Sequence, residues 1–159
     1  MDEEFEILES IYEDDLVIER TAYGANIRVA CKPLGDDHAF VRATVQLKLD
    51  EKYPAVPPII DLPISYGLDD HERLNLQKVL ETFTEVNFCA GEAFCFSIVE
   101  LVKEKLDDLN RKAECQICLS ALFQSPPKKL LGFLNGLPST SPWASTPCRH
   151  QFHSACLAR

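Results

Sequence analysis

The chain has 159 residues, 46% of them hydrophobic, which is enough for one ordinary domain with a small second unit and too apolar for wholesale disorder. Its formal net charge of −9 is unevenly spread: residues 1–110 carry ten Lys/Arg against twenty-four Asp/Glu, whereas residues 111–159 carry six against one. That break near Asn110 marks a boundary between a 1–110 unit and a 111–159 unit, and the acidic first part argues against binding nucleic acid phosphates.

No apolar run is long enough to span a bilayer, so no membrane partner is expected. Met1-Asp2-Glu3-Glu4 is acidic where a secretory leader would be basic and then apolar. The expected location is the cytoplasm or the nucleus. Thiols stay reduced there, so the clustered ones among the seven cysteines are read as metal ligands and not as disulfides.

Phe5, Leu8, Ile11 and Tyr12 recur at helical spacing among acidic residues and predict an amphipathic first helix. Strand patterns follow. Leu16 to Ile18 is a short apolar run; Ile27, Val29 and Cys31 alternate with polar or small residues. Val41, Ala43, Val45, Leu47 and Leu49 alternate with Arg42, Thr44, Gln46, Lys48 and Asp50. Tyr23-Gly24 and Leu34 to Asp37 are the expected turns. In Tyr53-Pro54-Ala55-Val56-Pro57-Pro58 the prolines fix φ and remove backbone donors, so no helix or central strand can continue through them. Ile59 to Leu62 supplies a fourth short strand. Helical patterns begin at Asp69, with Leu74, Gln77, Leu80 and Phe83 on one face and Leu76 and Val79 near it, and again near Ala93. There Phe94, Ile98, Leu101, Val102, Leu106 and Leu109 are expected inward, and Glu100 and Glu104 face each other on the exposed side. A helix, four strands and then helices make an α+β fold: an antiparallel four-stranded meander with flanking helices.

Glu6 to Tyr12 and the Tyr53-Pro54 to Pro58 turn carry a resemblance to RWD domains over roughly residues 1–110. The resemblance implies the architecture of ubiquitin-conjugating (E2) enzymes without their catalytic cysteine, and a role in binding a partner protein. The residues themselves fit a purely structural reading as well, in which the prolines and Tyr53 shape a turn. Cys31, Cys89 and Cys95 read as small core residues, and Cys95, near a helix start, is the one whose setting could activate a thiol. No catalytic residue is assigned.

The second unit opens with Cys115-Gln116-Ile117-Cys118 and continues with Cys148-Arg149-His150 and His153-Ser154-Ala155-Cys156. Two residues between cysteines let a tight turn aim both sulfurs at one ion, and zinc favours four tetrahedral thiolate or imidazole ligands. Incidental placement and a lone four-ligand finger are the competing readings. The order C-x2-C, C-x-H, H-x2-C resembles the RING-H2 pattern. That resemblance implies that Cys115 and Cys118 join His153 and Cys156 on one Zn2+. Cys148 and His150 would then await a fourth pair on a second Zn2+, so the chain is expected to carry a RING cut short after one full site and half of another. Residues 119–147, with prolines, glycines and an apolar stretch, form a long internal loop.

The two units together resemble the RING finger protein 25 type of ubiquitin ligase. What this implies is a RING-type E3 ubiquitin ligase that recruits a ubiquitin-charged E2 and promotes transfer to lysines of a protein substrate. Ile117 would sit at the apolar position that grips the E2, or would instead fill the zinc knuckle. The alternative is a non-catalytic RWD module that only binds a partner.

Overall fold

A computed structural model describes residues 2–33, 39–115, 117–119, 122, 143–145 and 151–157. The chain divides into two compact units after Asp107. The expected turn at Leu34 to Asp37 lies outside the described residues.

The first unit begins with helix α1 (Asp2–Tyr12) and a 3-10 turn (Glu13–Asp15). Four strands follow, β1 (Leu16–Thr21), β2 (Gly24–Cys31), β3 (Arg42–Asp50) and β4 (Ile59–Tyr66), paired antiparallel in the order β1-β2-β3-β4. Period-two alternation explains the sheet: Ala25, Ile27, Val29 and Cys31 of β2 and Ala43, Val45, Leu47 and Leu49 of β3 are all buried on one face. Each fully buried aliphatic side chain contributes about 1.5–3 kcal/mol, so these two central strands supply much of the core. The β1–β2 hairpin closes tightly. Gly24 has φ +142° and pairs with Asp50, and a Cβ there would fall 1.9 Å from the Leu49 carbonyl oxygen, so glycine is required.

Two strands run longer than their apolar cores suggested. β1 continues through Glu19, Arg20 and Thr21, and β4 continues past Pro63, which sits on an edge where a missing donor is tolerated.

Helix α2 (Asp70–Asn87) starts with a capping box: Glu72 N–H donates to Asp69 Oδ1 at 2.7 Å, and Asp69 N–H donates to Glu72 Oε2 at 2.9 Å. Its buried stripe is Leu76, Leu80 and Thr84: Leu80 and the nearby Leu76 face inward as expected, whereas Leu74 points to solvent and Gln77 and Phe83 are half-buried. Gln77 Nε2 donates to the Ile60 carbonyl and thereby fixes α2 against β4. Helix α3 (Cys95–Arg111) buries Cys95, Ile98, Val99, Val102 and Leu106, whereas Leu101 and Leu109 are only half-buried. On α1 the buried residues are Glu4, Phe5, Leu8 and Tyr12, and Ile11 is exposed. Glu100 is not spent in repulsion with Glu104: it accepts from the Tyr12 hydroxyl at 2.9 Å and from Lys103 at 3.1 Å.

A buried polar cluster ties α1 to the proline turn and to the start of α3. The Tyr53 hydroxyl donates to the Glu4 carboxylate, 2.9 Å from Oε2, and accepts from Phe94 N–H at 2.8 Å. Cys95 N–H donates to Glu4 Oε1 at 2.8 Å, so the carboxylate of one helix caps the N-terminus of another. The Tyr53–Pro54 peptide is cis, and Pro54 offers its carbonyl to Gly91 N–H at 2.8 Å.

The second unit contains the hairpin β5 (Trp143–Ser145) and β6 (Gln151–His153), paired Trp143↔His153, followed directly by the short helix α4 (Ser154–Leu157). Leu122 N–H donates to the Ala113 carbonyl at 2.9 Å, and Leu122 is buried.

Removing the Tyr53 hydroxyl leaves a buried carboxylate and an N–H short of partners. Tyr53→Phe is therefore expected to cost about 1–3 kcal/mol. Urea unfolding checks this, with a lower midpoint and an unchanged slope.

Candidate metal centre

Helix α3 ends at Arg111, and Ala113 N–H closes on the Asn110 carbonyl at 3.2 Å, delivering the chain to Cys115. There the backbone turns back on itself: Leu119 N–H donates to the Cys115 carbonyl at 2.8 Å, and Leu119 adopts φ +56°. The turn is what puts Cys115 and Cys118 on one side. From the other direction the β5–β6 hairpin presents His153 at its end, and α4 carries Cys156 round by nearly one turn.

The result is four ligand atoms, one each from Cys115, Cys118, His153 and Cys156, all within 4.8 Å of one another. Cys118 Sγ lies 3.3 Å from His153 Nδ1, and Cys156 Sγ lies 4.0 Å from it. Cys115, His153 and Cys156 are buried and Cys118 is half-buried. The four residues could hold a metal ion. Among the described residues this is the group of His, Cys, Asp and Glu side chains that converges in this way.

The thiols are not equivalent. Burial alone would raise Cys115, but backbone N–H groups of Cys118, His153 and Ile117 point at its sulfur and bring it down to about 6. The His153 N–H donor stands 3.4 Å from Cys115 Sγ. Cys156 goes the other way: burial, and then the neighbouring Cys118 and Cys115 sulfurs, push it up to about 12. Three sulfurs this close cannot all carry charge without a cation among them.

Cys148 and His150, the other two candidate ligands, lie outside the described residues, as does most of the 119–147 loop. Ile117, between the two cysteines of the knuckle, is 50% exposed. The cysteines of the first unit behave differently. Cys31 is buried and pushed up to about 12 by that burial. Cys95 is raised by burial and then by the Glu4 carboxylate, so its place at a helix start does not activate it. Cys89 is exposed. Spacing alone did not reveal the Glu4–Tyr53–Cys95 cluster; a glutamate at a helical position next to Phe5 was its one trace in the sequence.

The description "RWD domain" belongs to the family model that matches residues 1–106. Among curated proteins, E3 ubiquitin-protein ligase RNF25 of Danio rerio is 34% identical over 161 residues, covering 98% of this chain and 28% of that protein. RNF25 of Homo sapiens is 30% identical over 163 residues, covering 98% of this chain and 32% of that protein. The chain thus spans about a third of the length of the curated relatives it matches. Among solved structures, the solution structure of the RWD domain of mouse GCN2 matches with a TM-score of 0.61 and 26% identity, over 68% of this chain and 83% of that one.

Protons and a metal ion compete for the same sulfur lone pairs. Cys156, at about 12, carries a proton at neutral pH that must leave when the ion binds, and Cys115 picks one up below about 6. Metal occupancy is therefore expected to fall on acidification, most steeply below pH of about 6. Thiolate-to-cobalt absorbance of the Co2+-loaded chain, followed through that range, checks the sign.

Proposed function

The chain belongs to the RWD domain family, and from that premise we propose a RING-type E3 ubiquitin ligase whose first unit docks a partner protein and whose second unit recruits a ubiquitin-charged E2. The observation that carries the reading is the convergence of Cys115, Cys118, His153 and Cys156 in the unit that follows the RWD fold. Three thiols and one imidazole form a donor set suited to zinc. A tetrahedron of such ligands around zinc has edges of roughly 3.3–3.8 Å, close to the separations of 3.3 and 4.0 Å from His153 Nδ1.

Those four residues would hold the ion, which supplies positive charge and a fixed crossing point for chain segments that share little core. With all four ligands from protein, no coordination position is left for a reactant, so the role is structural. Cys148 and His150 are assigned to a second zinc by the same alternating pattern. The similarity to RNF25 proteins over 98% of the chain supports both assignments.

In the reaction itself, the substrate lysine amine attacks the thioester carbonyl of ubiquitin held on the E2. A C–N bond forms, the C–S bond breaks, and the E2 cysteine leaves as thiolate. The ligase contributes placement of the two reactants. Ile117, half-exposed and clamped between two ligands, is the residue assigned to grip the E2. The first unit has the fold of an E2, and its buried Cys31 and Cys95 are held as thiols, which fits a docking role. A cluster of free thiols and zinc-bound thiolates suits a reducing compartment, and the cytoplasm or nucleus is proposed on that ground.

With E1, ubiquitin, ATP and a panel of E2 enzymes, the full-length protein is expected to speed discharge of charged E2. Ile117→Ala should cut that rate about tenfold or more while leaving bound zinc unchanged; Cys115→Ser should remove both. Discharge indifferent to both substitutions contradicts the ligase reading.

A further inference from the structure

The outward flank of α1 is unusual for a surface helix. Ile7 and Ile11, one turn apart, are 55% and 49% exposed. Phe96, 41% exposed at the start of α3, follows Cys95, whose N–H binds Glu4 of α1, and its ring stacks 6.4 Å from that of Tyr12; Ile7 and Ile11 lie three and seven residues after Glu4, on its side of the helix. Three large apolar side chains are therefore exposed along the seam of α1 and α3, and the inward stripe of α1 is already complete without them, with Phe5, Leu8 and Tyr12.

Helix α1 itself carries only acidic charge, and Lys103, 4.2 Å over the Tyr12 ring, is paired with Glu100 at 3.1 Å. The first fifteen residues hold eight Asp/Glu and no Lys/Arg. Three of the eight are engaged: Asp2 pairs with Arg20 at 2.8 Å, Asp15 with Lys32 at 3.9 Å, and Glu4 is buried on Tyr53. Glu3 and Glu6 are exposed beside the Ile7 turn and have no ion pair among the described residues.

Charge decides the occupant. A second copy would bring the same acidic flank and be repelled, as would nucleic acid and anionic lipid. A segment that pairs apolar side chains with Lys or Arg meets both features at once. We propose that the Ile7–Ile11–Phe96 flank docks a basic amphipathic helical segment of a partner protein. This rests on the reading of the first unit as a docking module and gives that module its surface and its partner chemistry.

The test titrates the whole 15N-labelled chain with a helical Leu/Lys peptide, with a Leu/Glu peptide of the same pattern as control. Shifts are expected to centre on Ile7, Ile11 and Phe96, with Kd on the order of 10–100 µM, weakening as salt rises. Ile7→Ser with Ile11→Ser should weaken binding at least about fivefold, and so should Glu3→Lys with Glu6→Lys. These residues are exposed, so thermal unfolding of the first unit should barely move. Equal binding of the Leu/Glu peptide, or no shifts at millimolar peptide, overturns the proposal. Shifts centred elsewhere within residues 2–107 also overturn this surface while leaving the docking reading standing, and E2 discharge by the Ile117 variant reads the ligase claim independently.

Discussion

Like charges at close range have to be offset, and the second unit is organised around that constraint. Cys115, Cys118 and Cys156 bring three sulfurs together with the His153 imbidazole nitrogen inside 4.8 Å. Every thiolate formed there raises the cost of the next: Cys156 is driven up by burial and then by its neighbours, while backbone donors pull Cys115 down. A divalent cation would remove the conflict. It would also supply what two three-residue strands and a four-residue helix cannot, namely a reason for distant segments to stay together.

The first unit solves its own version of the problem by hydrogen bonding. Glu4 is a buried acid, and its carboxylate is satisfied by the Tyr53 hydroxyl and the Cys95 N–H at the head of α3. The same cluster sets the character of Cys95, whose thiol donates toward the Tyr53 oxygen and is held protonated by burial and by Glu4. Cysteine thus plays opposite parts in one chain. In a dry core beside a carboxylate it is a small inert filler, and among aimed N–H donors it is suited to be a ligand.

The sheet was legible because β2 and β3 alternate without interruption, and a period of two leaves one face for the core. Helix positions were read less well for a physical reason. α1 and α3 are joined by polar contacts, so Glu4 occupies a place that periodicity reserves for apolar residues, and Ile11 is released to solvent. In α2 the stripe of Leu76 and Leu80 is completed by Thr84, which buries itself by donating its hydroxyl to the Leu80 carbonyl, a contact that a hydrophobicity count does not register. Of the candidate site, the convergence of Cys115, Cys118, His153 and Cys156 followed the ligand spacing, since a C-x2-C turn and an H-x2-C step each leave few geometries open. The uneven titration of those thiols was not legible, because it depends on which backbone N–H groups face which sulfur.

Zinc content read together with the fold of residues 108–157 tests the central claim most directly. The purified chain is expected to carry tightly held zinc, and stripping it with a strong chelator should collapse the amide dispersion of Leu122 and His153 while Ile27 and Leu47 keep their positions. A second unit that retains its dispersed spectrum after complete removal of metal would contradict the account.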